Sequence, residues 1–409
     1  PKNVSSISVD IDKDSGAVTI ENNGPLGGIG VRMHEKEGLW NPELTFGHLL
    51  TSTNYDDSKK RVVGGRNGYG AKLTNIYSSE FSIVIKDHEN KQTYSQKWSK
   101  NMTVCEPPKI KKHSGATSSV SITFVPDWRR FGLSKMENAI YKIFQKRVWD
   151  ANICTTPNCK VKFNGDVLPK QNLDTYAKMH EGVENVTSVA GDRWSVCIGP
   201  SENGLEQVSF VNGICTFQGG KHVDYISQQV IDGLYTTLGK KNKELTLKKP
   251  FIKNHLFVFV KANIVNPMFQ GQTKEMLTTN KTKFGSTCDL DKAFLDKVSK
   301  LPIMDEIIRF AMFKEEKDMK KQDGKKKIDL VLKASDDVIK TPEDIMAAQL
   351  ALPNSSSSKS ITRSTHDRFS IIVLRSRNGI KNLPFLFISQ SSLFNATINL
   401  SPSSFADLK

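Results

Sequence analysis

The sequence lacks any run of about 18 apolar residues, the minimum for a transmembrane helix, so no membrane partner is predicted. Its first residues, Pro1 to Val4, lack the charged and apolar segments of a secretory signal peptide. The initiator Met is also missing, and we therefore expect a chain that is cut at its N-terminus. These absences favour an intracellular protein.

Cysteine is scarce, with six residues in a chain of 409. Cys154 and Cys159 are close in sequence, but no second pair or histidine cluster completes the spacing of a zinc site. We therefore predict no metal site, and we expect the thiols to be reduced, as is usual inside cells.

The two commonest phosphate-binding fingerprints are missing, although residues 64–73 are rich in glycine. The G-x-x-x-x-G-K-[ST] spacing is absent, and the order G-x-x-G-x-G reverses the dinucleotide fingerprint. Four glycines nevertheless precede the helix-compatible residues Ala71, Lys72 and Leu73. A glycine loop that enters a helix presents free N–H groups to an anion. Residues 64–73 therefore indicate a phosphate-binding loop, with a flexible surface loop as the alternative.

Length and charge bound the class of protein. A chain of 409 residues predicts two to three domains, and 37% hydrophobic residues predict a mostly globular chain. The formal net charge is +15, from 58 basic and 43 acidic residues. This balance favours a polyanionic partner, nucleic acid first, although solvated lysine faces explain it equally well.

Hydrophobic periodicity predicts a mixture of strands and helices. We predict a hairpin at 5–21 and a long polar loop at 51–70. Further strands are predicted at 81–86, 93–98, 120–125, 161–168, 193–198, 206–214 and 255–264. Helices are predicted at 44–50, 137–152, 221–238, 292–300 and 305–313. The charge run at 314–327 indicates a solvated helix or linker, followed by a poorly ordered tail.

Three short polar motifs accompany the glycine loop. Asn22-Asn23-Gly24 follows a strand and offers an amide that can meet a base edge. Ser52-Thr53-Asn54 precedes the glycine loop, and Gln272-Thr273-Lys274 follows an apolar strand. Each motif alone is weak evidence for a binding site, since a lone Gln-Thr-Lys usually lies in a surface loop.

In this order, the motifs resemble the N-terminal ATPase region of the eukaryotic type II DNA topoisomerases. The resemblance covers roughly residues 5–315, and residues 49–57, 64–73, 210–212, 219–225, 272–274 and 284–288 carry it. It implies an α+β fold in which a GHKL-type ATPase sandwich at 1–165, lacking its first helix, precedes a transducer α/β domain at 166–315. Residues 316–409 would form a charged linker and a divergent, poorly ordered tail.

The resemblance also implies the site residues. Asn22 would contact the adenine side of ATP, and Ser52, Thr53 and Asn54 would touch ribose and phosphate. The triphosphate would be wrapped by Gly65, Arg66, Asn67, Gly68, Tyr69, Gly70, Ala71 and Lys72. Thr273 and the two catalytic candidates, Gln272 and Lys274, would reach the γ-phosphate from the second domain. Lys240 and Lys241 match a stretch that contacts DNA in the family, although two lysines also suit the dipole at a helix C-terminus.

The activity implied is that of a nuclear homodimer that uses ATP and Mg²⁺ to close a gate around double-stranded DNA and to pass one duplex through another. The alternative is a catalytically inactive, truncated paralogue that acts as a DNA-binding or regulatory module. A fragment that does not fold is a third possibility.

Three departures from the family pattern qualify these expectations. The family's catalytic glutamate and magnesium-binding asparagine precede the strand at 5–11, where this chain begins, so we expect hydrolysis to fall by orders of magnitude. The loop at 22–31 is two residues longer than the family's Asn-Asn/Asp-Gly-x-Gly-Ile-Pro, and Gly30 stands where that pattern ends in proline, which puts the adenine contacts in doubt. The Glu-Gly-Asp-Ser signature of the cleavage core is absent, and residues 328–409 match nothing in the family. This chain alone is not expected to cut DNA.

Overall fold

The computed structural model describes residues 4–24, 29–52, 54, 56, 58–242, 245 and 247–322. The predicted tail at 328–409 therefore lies outside the described residues, as do Thr53 and positions 25–28 of the loop at 22–31. No helix in the described ranges is both long enough and apolar enough to cross a membrane.

The first domain is built on a nine-stranded mixed sheet. Its strands are β1 (Ser6–Ile11), β2 (Val18–Gly24), β3 (Ser78–Asp87), β4 (Gln92–Ser99), β5 (Val104–Cys105), β6 (Lys109–Lys112), β7 (Ser118–Pro126), β8 (Lys160–Phe163) and β9 (Asp166–Val167). The order is β5-β4-β3-β7-β2-β1-β8-β9, with β6 also paired to β4. The described pairs are antiparallel except for β1 with β8, which are joined in parallel.

Three helices accompany this sheet: α1 (Asn41–Gly47), α2 (Tyr69–Ile76) and α3 (Asn138–Cys154). Alternate residues of the central strands, such as Val9 and Ile122, are almost completely buried. Ile140, Phe144 and Val148 recur at helical spacing along α3 and join the same core. The core therefore lies between α3 and one face of the sheet. Alternate strand residues and every third or fourth helix residue face it.

The second domain contains a five-stranded sheet. Its strands are β10 (Thr187–Ala190), β11 (Trp194–Pro200), β12 (Glu206–Val211), β13 (Ile214–Cys215) and β14 (Leu256–Ala262), in the order β10-β11-β14-β12-β13. Its helices are α4 (Leu173–Ala177), α5 (Lys221–Lys241), α6 (Lys249–Lys253), α7 (Lys292–Val298) and α8 (Ile303–Gln322). The buried face of α5, including Val223, Val230 and Leu234, packs in one core with the apolar face of this sheet.

A third apolar cluster joins the two domains. Ile153, at the end of α3, packs with Tyr176, Phe210 and Phe259 of the second domain. The Lys261 ammonium donates a hydrogen bond of 3.2 Å to the Ile153 carbonyl. The end of α3 is therefore part of the second domain's core, and it fixes one side of the domain junction.

Most predicted elements are present, with shifts at their ends. The predicted helix at 44–50 lies at Asn41–Gly47, because Pro42 occupies the first turn, where no N–H is needed. The predicted boundary at 165/166 falls inside the hairpin of β8 and β9, whose residues pair antiparallel. The charge run from residue 314 continues α8 as far as Gln322.

Candidate functional site

The glycine loop is fastened to the segment that precedes it. The Ser52 hydroxyl donates to the Arg66 carbonyl at 2.5 Å, and the Asn54 amide donates to the Gly65 carbonyl at 3.1 Å. Gly68 then takes a left-handed conformation with φ of 66°, and α2 begins at the next residue. In this structure Ser52 and Asn54 therefore hold the glycine loop in place, and their contact with ribose and phosphate stays a prediction.

The N-terminus of α2 is open. No side chain caps it, so its first N–H groups have no partner from the helix or from a cap. Gly68 permits a close approach at this point, since a Cβ there would lie 3.3 Å from the Lys72 Nζ. The ammonium of Lys72 therefore lies beside the N-terminal end of the helix that carries it.

The side chain of Lys72 is deeply buried. The residue is only 3% exposed, and its ammonium donates one hydrogen bond of 2.9 Å, to the Thr51 hydroxyl. Burial lowers the pKa of Lys72 to about 8. In the part of the chain that the structure describes, no carboxylate lies within ion-pair distance of this ammonium.

A buried cation at the N-terminus of a helix is unfavourable on its own. The helix dipole places partial positive charge at that end, and the ammonium adds a full charge with little solvent around it. An anion bound at the same place removes both costs, because it accepts hydrogen bonds from the free N–H groups and pairs with the ammonium. The arrangement therefore fits a phosphate group.

The second domain supplies another lysine, which is half-buried on a hairpin. Gln272 accepts a hydrogen bond of 3.2 Å from the Asn67 amide of the glycine loop. Lys274, two residues later, has a positive φ of 58°, and its N–H donates to the Gly271 carbonyl. Burial lowers the pKa of Lys274 to about 8 as well. Among the described residues no carboxylate pairs with it.

The hairpin is anchored on the start of α5. Gly220 pairs with Leu277, and its φ of 126° is one that only glycine adopts easily. A Cβ on Gly220 would lie 2.6 Å from the Leu277 nitrogen and closer still to its carbonyl oxygen. Gly219 and Gly220 therefore allow the close backbone contact with Leu277 that positions the hairpin carrying Gln272, Thr273 and Lys274.

The glycine loop itself docks on the second domain. Arg61 and Asn266 exchange two hydrogen bonds, from the Arg61 N–H at 3.0 Å and from the Asn266 N–H at 2.9 Å. Gly64 lies so close to Ile214 that a Cβ would be 2.9 Å from the Ile214 Cγ1 and nearer to its Cδ1. Each of these contacts joins the two domains.

Asn22 lies in β2, and its residue is 2% exposed. Its side-chain oxygen is buried and has no hydrogen-bond partner among the described residues. An unsatisfied buried amide oxygen is costly and is expected to meet a donor from a ligand or water. Its contact with adenine stays a prediction.

The structure brings together the residues from 52 to 72 and the hairpin at 272–274, but not the predicted DNA contacts. Lys240 and Lys241 are exposed in the last turn of α5, about 30 Å along the helix from Gly220. Thr53 lies outside the described residues. Sequence reasoning missed the roles of Thr51 and Asn266, because each acts on a segment that is distant along the chain. The described residues hold no group of three His, Cys, Asp or Glu that could bind a metal ion.

Comparison with known proteins identifies the family to which this architecture belongs. A family model for DNA gyrase B matches residues 164–327. The crystal structure of the ATPase region of Saccharomyces cerevisiae topoisomerase II superposes with a TM-score of 0.70 at 37% identity, over 76% of this chain and 82% of that one. The chain belongs to the type II DNA topoisomerase family. The predicted GHKL-type ATPase fold followed by a transducer domain is thereby confirmed.

Two further relatives agree with this assignment. The ATPase and transducer domains of topoisomerase II from Balamuthia mandrillaris are 38% identical, with a TM-score of 0.72 over 77% of this chain and 81% of that one. DNA topoisomerase 2 of Arabidopsis thaliana is 40% identical over 342 residues, which is 81% of this chain and 23% of that protein. The chain thus spans less than a quarter of the length of the curated relatives it matches.

Proposed function

We propose that this ATPase region binds the triphosphate of ATP between α2 and the Lys274 hairpin, and that binding closes a dimeric clamp around double-stranded DNA. The observation that carries the proposal is the burial of Lys72, a residue that is only 3% exposed. Its ammonium lies at an uncapped helix N-terminus, and no carboxylate among the described residues pairs with it. The triphosphate supplies the negative charge that this position requires.

In this proposal each group acts by position and charge. The free N–H groups at the start of α2 and the Lys72 ammonium hold the phosphates, while Lys274 approaches the terminal phosphate from the second domain. Gln272 holds that hairpin to the glycine loop through Asn67, and Asn22 offers its unpaired oxygen to the base. The presence of a γ-phosphate is thereby sensed by both domains at once.

The family implies Mg²⁺ as a cofactor, but the described residues do not fit it. They contain no group of three His, Cys, Asp or Glu that could hold a metal ion. We therefore assign the ion no step here. The proposal for this chain concerns the binding of ATP and the domain contacts that depend on it.

The role in DNA transport extends the proposal to the whole enzyme. A net charge of +15 favours association with DNA, and the exposed pair Lys240 and Lys241 is offered for contact with the duplex. We propose that a nuclear homodimer couples nucleotide binding and hydrolysis to the passage of one duplex through another.

Titration calorimetry with ATP and ADP tests the nucleotide site. We expect ATP to bind more tightly than ADP, and we expect Lys274→Met to reduce that ratio at least about threefold, because a contact with the γ-phosphate is lost. Lys281→Met, which removes an exposed lysine seven positions later, is the matched control and is expected to leave the ratio unchanged. Equal affinities of the unmutated chain for ATP and ADP would contradict the proposal.

A further inference from the structure

One short segment of the second domain, residues 214–222, touches both phosphate-binding elements of the proposed site. At its beginning, Ile214 lies against the glycine loop. Near its end, the Gly219 carbonyl accepts a hydrogen bond of 3.0 Å from the Leu277 N–H. Leu277 belongs to the same hairpin as Lys274. The positions of the glycine loop and of the Lys274 hairpin therefore both depend on the conformation of residues 214–222.

A network of three buried side chains holds this segment in its folded shape. Ser209 of β12, Thr216 and His222 of α5 are each 0% exposed. The Ser209 and Thr216 hydroxyls lie 2.6 Å apart, and the Thr216 hydroxyl lies 3.1 Å from His222 Nε2. The Thr216 N–H also donates to the Ser209 carbonyl at 2.8 Å. The network therefore connects the sheet, through Thr216, to the first turn of α5.

The direction of each hydrogen bond in the network follows from the available protons. The Ser209 hydroxyl donates its one proton to the Thr216 carbonyl at 3.0 Å. The contact between the two hydroxyls is therefore donated by Thr216, whose oxygen can then only accept from His222. Burial lowers the pKa of His222 to about 3, so the imidazole is neutral and carries its proton on Nε2. Its Nδ1 is buried with no hydrogen-bond partner among the described residues.

The network spans the most permissive part of the segment. Gly219 and Gly220 lie between Thr216 and His222 and have φ angles of 72° and 126°. Glycine has no Cβ and moves easily between backbone conformations. Because Thr216 and His222 are joined to each other, the backbone is held on both sides of the two glycines. The network therefore restricts the part of the segment that contacts the Lys274 hairpin.

The hydrogen bond of His222 supplies direction more than stability. The imidazole leaves one buried nitrogen without a described partner, and such a nitrogen is costly. An apolar side chain at this position would avoid that cost. Apolar packing, however, is non-directional, whereas a hydrogen bond weakens steeply when its angle changes. The bond to Thr216 therefore defines how the start of α5 is oriented against the sheet.

We propose that His222 is a positioning residue of the nucleotide site and that it acts through Thr216. By fixing the two glycines, it sets the separation between the glycine loop and the Lys274 hairpin and brings Lys274 within reach of a terminal phosphate. His222 is fully buried and does not touch the nucleotide itself. The inference rests on the proposed function, because it requires Lys274 to distinguish ATP from ADP. The phosphates that ATP and ADP share meet α2, so their binding depends less on the network.

Calorimetric titration with ATP and with ADP tests this role. Thr216→Val keeps the shape of the side chain and removes its hydroxyl. We expect it to lower the ratio of ATP affinity to ADP affinity at least about threefold, while ADP affinity changes less than about twofold. Thr216→Ser retains the hydroxyl and is expected to retain the ratio. His222→Leu should lower the ratio, and His222→Gln, which places an amide N–H near the position of Nε2, should restore most of it.

Ser227→Ala is the control for a general loss of stability. Ser227 lies in α5, is 6% exposed and donates its hydroxyl to the Val223 carbonyl at 2.8 Å. The variant loses a buried hydroxyl from the same helix but no member of the network. We expect it to leave the ratio of ATP affinity to ADP affinity unchanged, whatever its melting temperature. Thr216→Val keeps the test decisive even where His222→Leu does not fold.

The outcomes separate this role from the proposed function. A parent protein that prefers ATP, with the same preference in Thr216→Val, overturns the positioning role and leaves the proposed function standing. Equal affinities of the parent for ATP and ADP overturn the proposed function and the positioning role together. An equal loss of preference in Ser227→Ala overturns the role, because stability alone would then explain it. The ¹⁵N spectrum of the nucleotide-free parent should show the His222 proton on Nε2, and a proton on Nδ1 would overturn the network.

Discussion

Substitution Lys72→Met is expected to stabilise the nucleotide-free protein and to weaken its binding of ATP. Methionine is nearly as long as lysine, fits the same buried space and carries no charge. Burial lowers the pKa of Lys72 from 10.5 to about 8, and one pKa unit corresponds to about 1.36 kcal/mol. The ammonium therefore costs the folded state roughly 3 kcal/mol wherever it is fully charged.

The cost depends on pH with a definite sign. Because the pKa of Lys72 is lower in the folded state, the unfolded chain holds more protons between about pH 8 and pH 10.5. The free energy of unfolding of the parent protein therefore rises with pH across that interval. Below about pH 8 both states carry the charge, and the cost is fully present. The contribution of Lys72 to this rise is absent from Lys72→Met.

Denaturant unfolding near pH 7 and near pH 10, combined with calorimetric titration of ATP, measures these effects. We expect Lys72→Met to gain about 1 to 3 kcal/mol near pH 7, the lower value allowing for the lost hydrogen bond to Thr51. The gain should shrink toward pH 10, and affinity for ATP should fall at least about tenfold. Lys281→Met should change neither quantity. A variant that is less stable than the parent near pH 7, or a gain that is equal at both pH values, would refute the argument from a desolvated charge.

Three other substitutions or conditions test the domain contacts and the site. Gly220→Ala should cost roughly 1 to 3 kcal/mol of stability in thermal melts and lower the preference for ATP over ADP, since the added Cβ displaces the Lys274 hairpin. The control Gly239→Ala, at a helical position with open space, should be neutral or slightly stabilising in the same melts. Gly64→Ala should be destabilising, and Ile214→Val in the same chain should recover part of the loss, because it removes the methyl group nearest to the added Cβ. ATP binding near pH 8.5 should take up protons, because a phosphate group raises the pKa of Lys72 and Lys274 from about 8. Calorimetry in buffers of different ionisation enthalpy measures this uptake, and its absence would show that the two lysines do not contact the nucleotide.

The fold was largely predictable wherever burial leaves a regular trace in the sequence. The alternation of Ile7, Val9 and Ile11 predicted β1, and the helical spacing from Val223 to Leu234 predicted α5. Elements without an apolar face were missed. All four residues of β6, Lys109–Lys112, are exposed, so that strand is stabilised by its pairing with β4 and leaves no hydrophobic pattern to detect.

The motifs predicted which segments form the candidate site, and that assignment stays a prediction, but they did not indicate the contacts between those segments. Motif order identified the glycine loop and the Lys274 hairpin, yet the sequence contained no sign that Asn67 meets Gln272, a residue 205 positions away. The burial of Lys72 was likewise hidden, since lysine is usually an exposed residue. Contacts set by tertiary packing are the part that local patterns do not encode.

Because the glycine loop docks on the second domain, the affinity for nucleotide and the orientation of the two domains are expected to be coupled. The loop is held through Arg61 and Gly64 by residues of the other domain, so it cannot change its shape around a ligand without a response at that junction. By thermodynamic linkage, any force or partner that biases the angle between the domains must alter ATP affinity by the same factor with which ATP biases the angle. Mechanical strain on the second domain is therefore expected to act as an effector of the nucleotide site.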